Sequence, residues 1–324
     1  MMNILVVRND KLGDFITALP ALYVLKHHNP DNRIIALVAP LNRTLAESCE
    51  FIDEVIVDKG GDILELAFTI KKARIDASVT LFSNTRVAIA QFLARIPIRI
   101  APATKIAQIF YTHRITQRRS EVKMGEFEYN LQLTRALFSD ISLDFPKPLL
   151  HFSDEPFQSF CAEYGITKPV VAFHPGFGGS SDANWTLAEY IELVRIAQED
   201  PAIDVVMTFG PDEERLYQEA RDLLGESPVV LYRSQESIVD FAALLSCFKL
   251  FISTSTGTYH LASAGGCETF TFFADTRFAS AARWKSIGEE SKQHYFMIPL
   301  DPAGRAGMFE TVKRELKSFL SKGI

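Results

Sequence analysis

The chain has 324 residues, with 34 Lys and Arg against 40 Asp and Glu, and a formal net charge of −6. This balance excludes the overall basic character of a nucleic-acid-binding protein, and no apolar run approaches the roughly 20 residues that a membrane-spanning helix needs. The length exceeds that of most single hydrophobic cores, which predicts two domains.

Short β-rich runs alternate with helical patterns from the start of the chain. In the first half the predicted strands are 3–7, 33–39, 54–58, 77–82 and 96–101, and the predicted helices are 15–28, 63–73, 87–94 and 127–138. The strands are near-continuous apolar runs, which is typical of parallel strands buried on both faces. The alternation predicts a doubly wound α/β sheet.

The first predicted strand leads into RNDKLGD, a turn that holds two aspartates and two cations. Gly13 permits a tight turn, and the start of the following helix favours negative charge. Asp14 is therefore a candidate general base at the edge of a cleft. The alternative is that Asp14 only caps helix 15–28 and that Asp10 only solvates the turn. Because GxGxxG is missing, the turn is not a dinucleotide fingerprint.

Cations are concentrated in the first half of this acidic chain. They are Arg86, Arg95, Arg99, Lys105, His113, Arg114, Arg118, Arg119 and Lys123. They suit an acceptor rich in carboxylates and phosphates, and also a negatively charged membrane face. Arg86 follows strand 77–82 and is expected to point into the cleft, whereas a solvated charged face is the alternative for most of the others. The predicted acceptor-binding residues are Asp10, Lys11, Arg86, Arg114 and Arg118.

A proline-containing region, 142–160, interrupts the alternation and is predicted to be a connection with little regular structure. The pattern then restarts with strands 170–176, 204–210, 229–232, 249–255, 269–274 and 295–300, and with helices 187–198, 212–224 and 238–246. The predicted domains are 1–150 and 151–308. An amphipathic helix, 309–324, is expected to pack back on the amino-terminal domain. Ligands bind beyond the carboxyl ends of parallel strands, so two facing sheets would form a cleft.

Two loops of the second half are suited to phosphate. The loop HPGFGGSSDANW, 174–185, combines glycines with hydroxyls ahead of a helix, which favours an anion. The loop STSTGTYHLASAGG, 253–266, places small hydroxyls before a helix that opens near Gly257. The predicted phosphate-binding residues are Gly178, Ser180, Ser181, Asn184, Ser255, Thr256, Gly257 and His260. The alternatives are a surface connection for the first loop and a structural histidine at position 260.

The chain resembles the glycosyltransferase family 9 heptosyltransferases. The resemblance rests on ILVVRNDKLGDFITALPAL, with its GD-x-x-x-x-x-P pattern, and on further segments in the same order. These are residues 83–101, FYTHRI, VVAFHPGFGGSSDANW, TFGPDEE, STGTYH and FFADTRFASAARW, which together span nearly the whole chain.

The resemblance implies a GT-B fold, with two Rossmann-like domains whose parallel sheets face each other across a cleft. It implies an inverting transfer of heptose from ADP-heptose to a lipopolysaccharide inner-core acceptor, with no metal and no cofactor. It also implies Asp14 as the general base, and Glu213 or Glu214 as the contact to the nucleotide ribose. The alternative for the two glutamates is the preference of a helix start for acids.

Two positions depart from the family pattern. Ser255 stands where the family usually has an aspartate, and no lysine shortly precedes Trp185. A catalytically silent relative that binds a nucleotide sugar or a glycan is therefore the alternative function, and a nucleotide-sugar epimerase or hydrolase is a third. The four scattered cysteines fit a reducing compartment. The expected location is the cytoplasm, with peripheral association to the inner membrane.

Overall fold

The computed structural model describes residues 1–104, 106–177 and 184–323. It divides into two compact units, residues 1–146 and 147–324. The division falls close to the predicted boundary after residue 150. Each unit holds its own six-stranded sheet, in which every strand pairing is parallel. The prediction of two doubly wound α/β halves is confirmed.

The amino-terminal unit alternates strands and helices. Its strands are β1 (Asn3–Arg8), β2 (Arg33–Val38), β3 (Glu54–Val57), β4 (Ala77–Thr80), β5 (Ile98–Pro102) and β6 (His113–Ile115). Its helices are α1 (Leu12–His28), α2 (Arg43–Glu47), α3 (Ile63–Lys72), α4 (Thr85–Leu93) and α5 (Glu126–Thr134). Short 3₁₀ turns cover 40–42, 106–110 and 119–121. The strand order is β3-β2-β1-β4-β5-β6.

Local chemistry explains where these helices begin. The Asp62 side chain accepts hydrogen bonds from the first backbone amides of α3, and Asn84 does the same for α4. Strand β6 was not predicted, because its three residues are exposed or half-buried and carry no apolar run. Helix α1 begins three residues earlier than expected, at Leu12, which draws the aspartate turn into the helix itself.

The carboxyl-terminal unit repeats the same plan. Its strands are β7 (Val170–His174), β8 (Asp204–Phe209), β9 (Val230–Arg233), β10 (Leu250–Thr254), β11 (Glu268–Ala274) and β12 (Gln293–Ile298). Its helices are α6 (Glu155–Tyr164), α7 (Leu187–Gln198), α8 (Glu214–Leu224), α9 (Ile238–Ser246), α10 (Gly257–Ala264), α11 (Ala281–Trp284) and α12 (Pro302–Ser321). A 3₁₀ turn covers 290–292. The strand order is β12-β11-β10-β7-β8-β9.

One expectation about the chain connections is corrected. The region 142–160 is not irregular to its end, because α6 begins at Glu155 with proline in its first turn, where proline is tolerated. The apolar face of α12, through Phe309, Val312 and Leu316, is buried in the core of the carboxyl-terminal unit. This face of α12 therefore packs within its own unit.

Both sheets have a switch point where the strand order reverses. In the first sheet β1 lies between β2 and β4, and in the second β7 lies between β10 and β8. Ligands of such sheets bind beyond the carboxyl ends of the strands at these points. None of the helices built from described residues is both long enough and apolar enough to span a bilayer.

Candidate active site

Arg8, the last residue of β1, is the buried centre of a carboxylate cluster. Its side chain is 3% exposed, and its guanidinium contacts three acids. Nε donates to Asp10 Oδ1 at 2.9 Å, Nη1 donates to Glu126 Oε1 at 3.1 Å, and Nη2 donates to Asp14. Arg8 is not among the predicted site residues. The signal that could have identified it is a cation directly after an apolar strand, at the edge where ligands bind.

Asp14 is held on this guanidinium and does not cap its helix. Lys11 occupies the N-cap of α1, and Asp14 is the third residue of the helix. The alternative of a capping role is therefore wrong. The carbonyl of Asp14 accepts from Thr17 Oγ1 at 2.7 Å, and the Asp14 side chain is 18% exposed. The Asp14 carboxylate is therefore partly accessible and fixed on a buried cation.

Asp10 contacts the same guanidinium, but burial has the largest effect on its pKa. Burial raises the pKa of Asp10, Arg8 opposes the rise and Asp14 adds to it, so that the pKa moves from 3.8 to about 6. Burial also lowers the pKa of Arg8, but the three carboxylates outweigh it and raise that pKa above its ordinary value. Arg8 therefore stays a cation and fixes both aspartates.

Two further residues of the cluster, Arg119 and Glu126, lie far from Arg8 in the sequence of the amino-terminal unit. Glu126 begins α5, and Arg119 Nη1 donates to the same Glu126 oxygen that Arg8 contacts. Arg8 and Glu126 are 118 residues apart in the sequence, so no local pattern connects them. The Phe82 ring lies 5.6 Å from the Arg8 guanidinium carbon, within cation–π range.

The five predicted acceptor-binding residues make separate contacts. Asp10 lies on Arg8, and Lys11 is exposed beside it at the N-cap. Arg86 pairs with the buried Asp58 and donates to the Gly61 carbonyl at 3.2 Å. Its guanidinium is thus anchored to the end of β3. Arg114 is exposed on the edge strand β6, and Arg118 is exposed in the segment that follows it.

The second sheet brings the two predicted phosphate loops side by side. The ends of β7 and β10 are paired, with Ser253 opposite His174. The loop that follows His174 and the loop that follows Thr254 therefore leave the same edge at neighbouring points. Gly178, Ser180 and Ser181 lie outside the described residues. Asn184 is described, and its side chain joins the loop ends by donating to the Pro175 carbonyl at 2.9 Å.

The start of α10 supplies hydroxyls and the first backbone amides of a helix without a side-chain cap. Thr256 is the N-cap residue but makes no side-chain cap, and its hydroxyl lies 2.8 Å from that of Thr258. Ser255 is half-buried, and its amide donates to the Phe272 carbonyl at 2.9 Å. Gly257 opens the helix as expected. The first amides of a helix that lacks a side-chain cap form a site for an anion.

His260 lies one turn into α10 and is almost completely buried. Its Nδ1 has no hydrogen-bond partner among the residues that the structure describes, and burial lowers the pKa of His260 to about 3. The imidazole is therefore neutral at physiological pH. A buried polar atom without a hydrogen-bond partner costs free energy.

The structure separates the two glutamates that were equivalent in the sequence. Glu214 forms an ion pair with Arg233 on β9. Glu213 turns to the edge of the sheet, where its Oε2 accepts from the Gly210 amide at 2.7 Å and lies 4.0 Å from His174 Nε2. Burial lowers the pKa of His174, and Glu213 offsets this in part. Glu213 is thus the glutamate placed beside the two loops.

Gly176 leaves the space that the Glu213 carboxylate occupies. A Cβ at position 176 would lie 1.9 Å from Glu213 Oε1, so glycine is required for the present position of this side chain. The sequence did not indicate Arg8 or Glu126 as site residues, whereas His174, Gly176 and Arg119 lie in the predicted phosphate loop and the predicted cationic stretch. In the described parts of the chain, no group of three or more His, Cys, Asp or Glu side chains could hold a metal ion.

Comparison with known sequences identifies relatives along most of the chain. The model of glycosyltransferase family 9 (heptosyltransferase) matches residues 63–295. A Haemophilus influenzae protein, named only provisionally as a glycosyltransferase, is 38% identical over 318 residues, which cover 94% of this chain and 91% of that protein. Lipooligosaccharide heptosyltransferase 2 of Campylobacter jejuni is 23% identical over 280 residues, 85% of this chain and 82% of the relative.

Solved structures match the fold at full length. E. coli ADP-heptose lipopolysaccharide heptosyltransferase II aligns with a TM-score of 0.81 at 18% identity over 99% of both chains. E. coli heptosyltransferase WaaC with ADP aligns with a TM-score of 0.70 at 18% identity over 98% of this chain and 99% of that one. The predicted GT-B fold class is confirmed, as is the resemblance seen in the sequence. The chain belongs to glycosyltransferase family 9, the heptosyltransferase family, and is a glycosyl-transfer enzyme.

Proposed function

We propose that this enzyme transfers heptose from ADP-heptose to a lipopolysaccharide inner-core acceptor, with inversion at the anomeric carbon. The observation that carries the proposal is the Asp14 carboxylate fixed on the buried Arg8 at the carboxyl edge of the first sheet. Support for the donor and acceptor classes comes from relatives that are named as heptosyltransferases of lipooligosaccharide and lipopolysaccharide.

In this mechanism Asp14 accepts the proton of an acceptor hydroxyl while the hydroxyl oxygen attacks the anomeric carbon. A new carbon–oxygen bond forms, the bond from that carbon to the diphosphate oxygen breaks, and its electron pair leaves with ADP. Attack from the face opposite the leaving group inverts the configuration. Arg8 holds the base in position and balances its charge before the proton arrives.

The amino end of α10 would receive the diphosphate. Its first backbone amides, the hydroxyls of Thr256 and Thr258, and the neutral imidazole of His260 can each donate to the departing oxygens. Donors aimed at developing charge contribute most where water is excluded, and His260 is buried. We assign Ser255, Gly257 and Asn184 to the same site, together with Gly178, Ser180 and Ser181.

The two units would divide the task. The amino-terminal unit would supply the base and the acceptor contacts of Asp10, Lys11, Arg86, Arg114 and Arg118. The carboxyl-terminal unit would supply the donor site, where Glu213 contacts the ribose. We further propose a cytoplasmic enzyme that associates peripherally with the inner membrane, because the acceptor is a membrane lipid and because cations are concentrated between Arg86 and Lys123.

Gly176→Ala is expected to weaken ADP binding by about 10- to 100-fold. The new methyl group would displace the Glu213 carboxylate, and the loss of a hydrogen bond to a charged group costs about 1.5–3 kcal/mol. Isothermal titration calorimetry with ADP measures the effect. Gly61→Ala is the matched control, since nothing lies within 4 Å of a Cβ at position 61. Unchanged ADP affinity in Gly176→Ala would remove Glu213 from the donor site.

The proposed reaction is tested by release of ADP from ADP-heptose. We expect release only when a lipopolysaccharide acceptor truncated in its inner core is present, and a heptosylated product in equal amount by mass spectrometry. ADP-glucose and UDP-, GDP- and CMP-sugars are the comparison donors. Turnover without acceptor would indicate an epimerase or hydrolase instead.

A silent binding protein is the second candidate. The observation in its favour is Ser255, which replaces an acidic residue of the family motif at the start of α10. This candidate predicts that ADP-heptose raises the melting temperature by mass action while no ADP is released. Heptosyl transfer at any rate that Asp14→Asn abolishes would exclude it.

A further inference from the structure

Residues 83–120 form a long segment of the amino-terminal unit that carries only positive charge. The segment contains seven Lys and Arg residues and no Asp or Glu, in a chain whose net charge is −6. It includes α4, β5, the 3₁₀ turn 106–110 and the edge strand β6. Arg86, Arg118 and Arg119 pair with acids outside the segment. Arg95 and Arg114 are exposed, and their positive charge can attract anionic partners.

The same segment exposes four large apolar side chains. The exposed fractions are 50% for Phe92, 42% for Leu93, 71% for Ile106 and 62% for Ile109. Ile106 and Ile109 are three residues apart in a 3₁₀ turn, so their side chains point the same way. We call the set Phe92, Leu93, Arg95, Ile106 and Ile109 the apolar–cationic surface.

Packing beneath the turn fixes these side chains outward. Ala107 and Tyr111 are buried against Ala88 of α4, so the opposite side of the turn has to face solvent. Arg99 connects the 3₁₀ turn to α4. Its Nε donates to the Phe110 carbonyl at 2.7 Å, and its guanidinium carbon lies 5.6 Å from the centre of the Phe92 ring. The exposed apolar residues therefore belong to one ordered surface.

Arg95 adds an exposed cation at a position where glycine would be favoured. It follows the end of α4 with a φ of 62°, in the left-handed region that disfavours side chains. Phe92, Leu93, Arg95 and Arg99 line a shallow depression of about 560 Å³ together with Ile96 and Pro97. Exposed arginine beside a fixed apolar depression combines the two features that an anionic lipid surface recognises.

We propose that the apolar–cationic surface docks the enzyme on an anionic lipid bilayer. The isoleucines and Phe92 enter the boundary between headgroups and acyl chains, while Arg95 and Arg114 lie among the phosphates. A second copy of the chain fits less well, because a symmetric contact would set each positive surface against itself. The inference rests on the proposed function only in that a membrane-anchored acceptor requires an enzyme at the membrane.

The surface is separate from the carboxylate cluster. Phe92 and Leu93 end α4, and Arg99 lies at the amino end of β5. Arg8 and Asp14 lie at the carboxyl end of β1, and the strands of this sheet are parallel. Changes at the surface should therefore alter membrane binding without altering the base.

Vesicle sedimentation tests the proposal with no sugar nucleotide present. The full-length protein should bind vesicles of phosphatidylethanolamine with 30 mol% phosphatidylglycerol at least about tenfold more strongly than pure phosphatidylcholine vesicles, because each cation near an anionic surface contributes about fivefold. Binding should weaken in 0.5 M NaCl, as charge screening requires. Equal binding to both lipid compositions would overturn the proposal.

Variants locate the surface. Ile106→Ser/Ile109→Ser should lose about tenfold or more of vesicle binding, because the apolar contact is removed. Leu223→Ser/Leu300→Ser, at exposed leucines of the other unit, should bind as wild type. Arg95→Gly should weaken binding about fivefold without a lower melting temperature, because glycine adopts the local backbone freely. Arg74→Gly, with a φ of 54° at its exposed position, is its backbone control.

Two further measurements test vesicle binding separately from the glycosyl-transfer reaction. Asp14→Asn should bind vesicles as wild type, and the double isoleucine variant should keep its turnover on a water-soluble, deacylated acceptor. Vesicle binding that survives in the double isoleucine variant would overturn the assignment. Loss of self-association in that variant, measured by analytical ultracentrifugation, would instead assign the surface to a contact between copies.

Discussion

Asp14→Asn is expected to lower kcat by about 10²- to 10⁴-fold, because general base catalysis contributes about 3–5 kcal/mol to the barrier. The amide can still accept a hydrogen bond from Arg8, so the fold around β1 should be preserved. ADP affinity should stay within about twofold of wild type, since the proposed donor site belongs to the other unit. Steady-state ADP release and calorimetry measure the two effects separately.

The Asp10→Asn variant distinguishes a single general base at Asp14 from a requirement for negative charge beside Arg8. Both aspartates contact Arg8, but only Asp14 is assigned to the proton. We expect Asp10→Asn to raise the KM for the acceptor and to lower kcat far less than Asp14→Asn does. Equal losses of kcat in the two variants would contradict Asp14 as the single base. A parallel loss of kcat and ADP affinity in Asp14→Asn would indicate a structural role.

Arg8→Met is expected to destabilise the protein by about 3–5 kcal/mol at neutral pH, because it leaves buried carboxylates without their cation. Asp10 and Asp14 would be most affected, since Glu126 keeps Arg119 as a second partner. Urea denaturation at fixed pH gives the free energy of unfolding. The matched control is Arg33→Met, whose partner Glu54 is 37% exposed. Exposed pairs of this kind contribute about 1 kcal/mol or less.

The pH dependence of Arg8→Met has a definite sign. Burial and Asp14 raise the pKa of Asp10 and Arg8 lowers it, with a net change from 3.8 to about 6. Without Arg8 that pKa rises further in the folded state but not in the unfolded chain. The deficit relative to wild type is therefore complete above the raised pKa of the variant and disappears as the pH falls through about 6, where Asp10 becomes protonated in both folded proteins. The stability deficit should be larger at pH 8 than at pH 5. A deficit independent of pH, or equal to that of Arg33→Met, would contradict the proposed role of Arg8.

The pattern of apolar residues along the chain was sufficient to predict most of the strands and helices. Of the twelve strands in the described parts of the chain, eleven were predicted within a few residues of their observed ends, because parallel strands buried on both faces must be apolar along their length. Strand β6 was missed because its residues are exposed or half-buried at the edge of the sheet. Helices α2 and α11 were missed because four or five residues are too few to display a helical period.

Only part of the candidate site could be predicted from the sequence. Asp14 and the loop that opens α10 were identified from their place after strands. The sequence left Glu213 and Glu214 equivalent, and only the fold shows Glu214 on Arg233 and Glu213 beside His174 and Gly176.

The sequence by itself determined the two parallel sheets, the family and the aspartate turn, because each depends on short-range patterns of polarity and on local motifs. Only the tertiary structure decided that Arg8 holds Asp10, Asp14 and Glu126 together, and that β7 and β10 bring two distant loops to one edge. Strand order and the pairing of buried charges arise from contacts across more than a hundred residues or across whole helices. The local sequence contains no pattern that reveals such contacts, because they form only when the sheet has assembled.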